Sequence, residues 1–285
     1  MKTETVKETK KAAPPRAPKA VALKTKDSNV AVTDTTNDMD WGLDAVDSTD
    51  IVIPKLLIMQ STSHLVAEEK AQFGDLVNSV SGEVLGSCRE KDNKPVKFIC
   101  IKEEKLWVEL EKVGDKYEFR RNKERTTAND KSQLEWEENG AQWRRDRTLN
   151  YFILLERDLG NAMPFPYVLS FRRSSFGAGK VLSTHLLNCK AAIMKAKDTG
   201  QNITAPMTPP GTIFELTGKK TQNDKGTFYV LQTNRVSETS QEGVAKAAEW
   251  IKTLRTQKFN VDQSDLEVEK DATPIEVEVS VNSQF

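Results

Sequence analysis

Leu149-Asn150-Tyr151-Phe152-Ile153-Leu154-Leu155 and, eleven residues further on, Pro166-Tyr167-Val168-Leu169-Ser170-Phe171 decide how this chain folds. Both are short, nearly continuous apolar runs that contain aromatic residues, too short for a buried helix, so each is read as a buried strand. A helix follows over about 176–198. Leu182, Leu186, Cys189 and Ile193 fall at i, i+4, i+7 and i+11, which makes one apolar stripe, and Gly200 stands where a helix ends in a left-handed residue. Residues 213–217 and 227–232 read as two more strands joined through Asn223-Asp224-Lys225-Gly226. A last helix covers about 240–256. Thr239 and Glu242 have capping-box spacing, and Val244, Ala247, Ala248 and Ile251 form its inner face.

Upstream, the ordered body starts at Ile51, and Phe73-Gly74-Asp75 and Ser81-Gly82-Glu83 are turn signals. Residues 96–101, 106–110 and 116–120 read as strands, the last with period-2 alternation. Residues 134–137 and 142–144 flank Asn139-Gly140, a short-hairpin signal. Residues 122–133 carry many charges and no large apolar side chain, which suggests a mobile loop. The order strands, helix, hairpin, closing helix predicts a β-rich α+β fold. An OB-like barrel with an inserted helix, a C-terminal helix and disordered termini fits that order; other α+β folds fit the same string.

With 285 residues, 37% of them hydrophobic, the chain is long enough for a real core and excludes a disulfide mini-protein. The longest apolar run, 51–59, is interrupted by Pro54 and Lys55 and is too short to span a bilayer. The Lys- and Pro-rich N-terminus lacks the apolar segment of a secretory signal. Cys88, Cys100 and Cys189 are widely spaced, with no CxxC pair, and His64 and His185 have no second ligand nearby in sequence. The expectation is reduced thiols, no metal, no cofactor, no membrane and a cytoplasmic location. Acid pairs such as Glu103-Glu104 and Glu137-Glu138 show no sign of a catalytic pocket, so the chain reads as a binding protein and not an enzyme.

The formal charge is zero, yet it is strongly patterned. Residues 1–26 are net +6, 27–50 net −7, 51–260 net +7 and 261–285 net −6. Three parts follow: a disordered arm at 1–50, basic then acidic, a nucleic-acid-binding domain at 51–260, and a disordered acidic tail at 261–285. A basic body favours polyanion partners.

Three patches in that body interleave rings and cations: Tyr117-Glu118-Phe119-Arg120-Arg121, Trp143-Arg144-Arg145-Asp146-Arg147 and Phe171-Arg172-Arg173-Ser174-Ser175-Phe176. Unstacked bases offer flat faces to aromatic rings, each worth about 1–3 kcal/mol, while arginines neutralise phosphates. Trp107, Tyr117, Phe119, Trp143, Tyr151 and Phe171 are therefore the stacking candidates. Arg120, Arg121, Arg144, Arg145, Arg172, Arg173, Lys219 and Lys220 are the phosphate candidates. The same alternation also fits rings pointing into the core with arginines on a solvated face. Gly177-Ala178-Gly179-Lys180-Val181 lacks both the first glycine and the hydroxyl of a phosphate loop, which excludes nucleotide hydrolysis by that route. Lys180 at a helix start can still meet a backbone phosphate, and glycines that ease the turn into the helix explain the run equally.

The tail holds Glu276 and Glu278 and ends in Phe285, with Val277, Val279 and Val281 alternating as an edge strand would. This ending resembles the tail of replication single-stranded DNA-binding proteins, including those of tailed bacteriophages, except that Ser280 to Gln284 separate the last acid from Phe285. Residues 164–176 (PFPYVLSFRRSSF), the helix after them and residues 212–230 resemble proteins of phage replication modules. The resemblance covers roughly a quarter of the chain. It implies an OB-like fold, sequence-independent binding of single strands, and contacts with a polymerase, helicase or recombinase through Glu276, Glu278 and Phe285. The expectation is a single-stranded DNA-binding protein of phage replication or recombination in the host cytoplasm, compatible with a homo-oligomer. The alternative is a phage structural or assembly adaptor without nucleic-acid binding.

Overall fold

The computed structural model describes residues 50–126, 134–224 and 226–262. Most of the N-terminal arm and of the acidic tail, with Glu276, Glu278 and Phe285, lies outside the described residues. In chain order the elements are β1 (Val52–Ile53), β2 (Leu56–Ile58), α1 (His64–Ala67), β3 (Asp75–Asn78), β4 (Val84–Arg89), β5 (Asp92–Lys94) and β6 (Val96–Val113). Then come β7 (Lys116–Glu124), β8 (Glu135–Glu138), β9 (Ala141–Leu155), β10 (Tyr167–Arg172) and α2 (Phe176–Thr199). The chain continues through β11 (Thr212–Asn223), β12 (Gly226–Glu238), α3 (Gln241–Thr256) and β13 (Asn260–Val261).

Two long strands carry the architecture. β6 has 18 residues and β9 has 15, and they pair antiparallel from Phe98↔Leu155 to Glu111↔Trp143. The charged run Lys102 to Lys105 does not break β6, because its polar groups find partners. Lys102 Nζ reaches Glu104 at 2.7 Å and sits over the Phe152 ring, while the Glu103 carboxylate accepts from Ser183 and lies 3.0 Å from the Tyr151 hydroxyl. At one end the order is β10-β9-β6-β11-β12; at the other, β7 joins β6 and β8 joins β9. A second sheet runs β2-β3-β4-β5, and β1 and β13 form a parallel pair.

Strand alternation sorts the core into two layers. Cys100, Leu149, Tyr151, Ile153, Leu169, Phe171, Phe214 and Leu216 pack with Leu182 of α2 and with Leu56, Leu76 and Cys88 of the second sheet. Ile99, Ile101, Phe152, Leu154, Val168 and Ile213 face the opposite way, against Ala247, Trp250 and Leu254 of α3. Each fully buried Leu, Ile or Phe contributes about 1.5–3 kcal/mol, so the central strands are covered on both sides and read as continuous apolar runs.

The strand-rich α+β class therefore holds, whereas the expected barrel closure is not formed: the paired sheets stay open. Closure needs the edge strands to bond to each other, and here the edges are met by other groups. The Gln60 amide spans Tyr229 on β12, accepting from its N–H and donating to its C=O, both at 3.0 Å. Ser175 Oγ accepts from Leu231 N–H at 3.2 Å, and Val168 N–H of β10 donates to Pro54 O at 2.8 Å. Helix α2 ends as expected, with Gly200 left-handed at φ +67°. Helix α3 is capped one residue later than expected, with Ser240 Oγ accepting from Gly243 N–H. Its inner face is rotated as well: Ala248 is exposed, and Gly243, Ala247, Trp250 and Leu254 are buried. The loop expected over 122–133 does not begin at 122, because β7 runs to Glu124; residues 127–133 lie outside the described residues.

Candidate nucleic-acid interface

Past Thr148, β9 loses β10 as a neighbour, and β6 and β9 instead gain β7 and β8. The result is a four-stranded extension, β7-β6-β9-β8. Its two faces follow from strand alternation. One face carries Trp107 opposite Arg147, Glu109 opposite Arg145 and Arg121, and Glu111 opposite Trp143, which is itself opposite Trp136. The other carries Val108, Leu110, Tyr117, Phe119, Arg144 and Asp146.

The first face is a ladder of rings and guanidinium groups. Trp136 and Trp143 stack with centroids 5.8 Å apart and planes within 17°. Arg145 lies 4.2 Å over Trp136 and 5.7 Å over Trp107, and Arg121 lies 5.4 Å over Trp143. Arg147 and Arg125 sit 5.6 and 5.9 Å over Trp107. Arg125 also covers Phe176 at the start of α2, and Lys180 lies over the same ring. Such contacts are worth about 0.5–2 kcal/mol each. Beneath them, Glu109 is 1% exposed, accepts from Arg121 Nε at 2.6 Å, and lies 3.0 Å from Arg145 Nη2. The Glu109 hydrogen bond raises the pKa of Arg121, which remains a cation at any working pH.

On the second face, Arg144 lies 5.3 Å over Tyr117 and donates to Asp146 at 3.0–3.2 Å, and Arg173 Nε donates to the same carboxylate at 2.8 Å. Arg173 adopts φ +48°, a conformation rare for a side chain of this size, and the Asp146 bond holds it there. Arg172 stands beside Thr148 of β9. Arg120 instead pairs with Glu111 of the first face and with Glu118 opposite it.

The structure sorts the sequence candidates. Trp107, Tyr151 and Phe171 are all 0% exposed, so none of the three offers a face to a base; this corrects their reading as stacking residues. Phe171 packs edge-on against Tyr151 at 5.8 Å. The Tyr151 hydroxyl donates to the Gly179 carbonyl at 2.7 Å and lies 2.7 Å from Ser183 Oγ and 3.0 Å from the Glu103 carboxylate, and burial pushes its pKa upward. Its role is to tie β9 to α2. Arg144, 5% exposed, is likewise no free phosphate ligand. Lys219 and Lys220 are exposed but remote. β11 passes Val96 of β6 at Leu216 and runs away from the ladder, while Trp107 lies eleven residues along β6 in the other direction, about 36 Å at the rise of a strand. Brought together are Trp143, Arg121 and Arg145, with Lys180 at the α2 end. Tyr117 and Phe119 are half-buried on the opposite face.

Sequence reading missed Trp136, Glu109 and Arg125; Arg147 and Phe176 stand in the ring-and-cation patches but not among the stacking and phosphate candidates. Trp136 was within reach: pairing outward from an Asn139-Gly140 turn puts 136 opposite 143, as observed. The others depend on pairing between distant strands or on side-chain placement. Gly177 and Gly179 fall inside α2 and not in a phosphate loop, and Gly179 lies against Phe171 and Leu149.

The three cysteines are buried. Burial, with Asp75 nearby, pushes the Cys88 thiol up to about 12, and burial also raises Cys100 and Cys189. Burial lowers the pKa of His185, whose Nε2 lies 3.3 Å from Pro209 O. Among the described residues no group of three or more His, Cys, Asp or Glu could hold a metal ion, and no helix is long and apolar enough to cross a membrane.

A family model described as Pam3 phage gp34-like protein matches residues 24–260 of the chain. That span begins within the segment read from sequence as an arm. No curated protein and no solved structure matches.

Proposed function

The chain belongs to the Pam3 phage gp34-like family, and from that premise we propose a non-enzymatic phage protein that binds single-stranded DNA without strong sequence preference. It acts in replication or recombination in the host cytoplasm. The observation that carries this reading is the Trp136–Trp143 stack flanked by Arg121 and Arg145 on one sheet face. Both tryptophans are half-buried, and the Arg121 side chain is 58% exposed. Flat rings beside planar cations suit unpaired bases and their phosphates; a duplex hides the base faces. The OB-type relation enters on element order alone, since α2 stands between β10 and the β11–β12 hairpin. In this reading the acidic tail competes for the cationic face and, once displaced, recruits a polymerase, helicase or recombinase through Glu276, Glu278 and Phe285.

The test is oligo-dT titration followed by tryptophan fluorescence at several salt concentrations. Stacking quenches the indoles, and affinity falls linearly on a log–log salt plot as counterions are released. Trp143→Ala or Trp136→Ala weakens binding by about 1–3 kcal/mol for one lost stacking face. Absence of quenching together with absence of a mobility shift overturns the reading.

One observation favours the second reading, a phage structural or assembly adaptor. The guanidinium groups of Arg120, Arg121, Arg144, Arg145 and Arg173 already face carboxylates, so the ladder also serves as internal bracing for a projecting four-stranded extension. It predicts a stable oligomer with no affinity for oligo-dT.

A further inference from the structure

We infer that Glu109 is a positioning residue: one buried carboxylate that fixes the guanidinium planes of Arg121 and Arg145 against the Trp143 and Trp136 rings. The inference rests on the single-strand reading of this face.

Three observations lead to it. First, Glu109 occupies the middle row of the ladder, opposite Arg121 on β7 and Arg145 on β9, between the Trp107 row and the Trp143 row. Arg145 lies over Trp136 and, less closely, over Trp107, and Arg121 lies over Trp143; the one carboxylate between the rows pairs with both guanidinium groups. Second, the arrangement is poor as mere stabilisation. A carboxylate at 1% exposure loses several kcal/mol of hydration, and a packed aliphatic side chain there would often be at least as stable. Its Oε1 lies within ion-pair distance of Arg145 but lacks hydrogen-bond geometry, and Arg145 Nε and Trp143 Nε1 are buried with no hydrogen-bond partner. Buried polar groups left this incompletely satisfied call for an explanation beyond stability. Third, the β6–β7 register shifts between Glu109 and Leu110. Such a bulge re-aims side chains, and here it sets Arg121 beside Glu109 and leaves Arg120 to Glu111.

The sign of one substitution separates positioning from simple charge. E109Q keeps the shape and removes a negative charge from a polyanion-binding face. If Glu109 only opposed the ligand, oligo-dT would bind more tightly. If it positions the arginines, affinity falls about tenfold, the scale of one lost stacking contact. The exciton couplet of the stacked Trp136–Trp143 pair in circular dichroism then loses at least half its amplitude, with or without ligand. R121K on the exposed rim keeps the charge and lacks the planar group, and it guards against a folding defect in E109Q. It should weaken binding in the same direction. Tighter binding by E109Q, an unchanged couplet, or R121K binding like the parent chain overturns the inference. A parent chain that does not bind oligo-dT overturns the single-strand reading instead, while the couplet still decides on Glu109.

Discussion

Gly179 gives the sharpest test of how α2 is seated. A Cβ added there would lie 2.8 Å from Phe171 Cβ and 3.0 Å from both Phe171 Cγ and Leu149 Cδ1, closer than packed carbons come. All three are buried atoms on adjacent strands, and Tyr151 also donates to the Gly179 carbonyl, so the helix cannot rise without loosening that bond. Gly177, two residues earlier on the same helix, has nothing within 4 Å of the added atom. Both substitutions to alanine gain helix propensity, at most about 1 kcal/mol. That gain largely cancels in the comparison, and what remains is overpacking, about 1–3 kcal/mol. At about 2–4 °C per kcal/mol for a domain of this size, Gly179→Ala should melt roughly 2–12 °C below Gly177→Ala. Thermal unfolding of both full-length variants, followed by far-ultraviolet circular dichroism, measures the difference. If Gly179→Ala melts at or above Gly177→Ala, the close seating of α2 is wrong, and with it the assignment of this glycine pair to packing.

Other consequences can be checked in the same preparations. Tyr151→Phe removes a hydroxyl bonded to Gly179, Ser183 and Glu103, and should cost about 1–3 kcal/mol of stability without changing the affinity for oligo-dT; a loss of affinity alone would return Tyr151 to the binding surface. His185 is held below its ordinary pKa in the folded chain. The unfolded chain therefore takes up the proton first as pH falls below about 6.5, and stability present above that pH is progressively lost. His185→Gln should flatten that part of the stability profile, and an unchanged slope would assign it elsewhere. Lys219→Glu with Lys220→Glu, on the far side of the sheet from the ladder, should leave ring quenching by oligo-dT intact and affect only the weak long-range attraction. Ending the chain after Asp262 removes six acids and one base and should tighten oligo-dT binding at low salt; equal affinity would refute competition by the tail.

The β-rich plan was legible because the central strands are covered on both faces. LNYFILL and YVLSF show no polar alternation, and the α2 stripe carries the helical period through Leu182, Leu186 and Cys189. β6 was legible only in halves. Its Lys102 to Lys105 stretch looks like a loop, and its partners, Ser183, Tyr151, Phe152 and the carbonyl of Leu254, come from elements up to 152 residues away. The sheets stay open where a barrel was expected, since element order does not say what covers a sheet edge; on β12 the side chains of Gln60 and Ser175 do so. For α3, Val244, Ala247, Ala248 and Ile251 mark the inner face in sequence, but the helix also buries its one large ring, Trp250, whose Nε1 donates to Pro164 O at 2.7 Å. The ladder was half legible. Strand alternation in residues 143–147 puts Trp143, Arg145 and Arg147 on one face from sequence alone, but not whether Trp107 or Tyr151 joins them at the surface. That depends on cross-strand pairing and on α2, which has no local signature.

The extension uses one device twice. Glu109 sits between Arg121 and Arg145 on one face, and Asp146 between Arg144 and Arg173 on the other, each acid shared by two guanidinium groups from different parts of the chain. An acid shared in this way leaves one net positive charge per cluster while holding both arginines in place. The extension's own aliphatic core is small, Val108 and Leu110 with the rings of Tyr117 and Phe119, so rigidity has to come from stacked planes and shared charges as well. For a ligand this changes the balance. A phosphate arriving at the ladder exchanges with an internal carboxylate as well as with water, so a bare polyanion gains little from these arginines. On the proposed reading, a strand that also presents unstacked bases adds ring contacts with Trp136 and Trp143 beside those the two indoles already make with each other and with Arg121 and Arg145. On the single-strand reading proposed above, the internal pairing of the arginines favours a ligand that brings bases as well as phosphates.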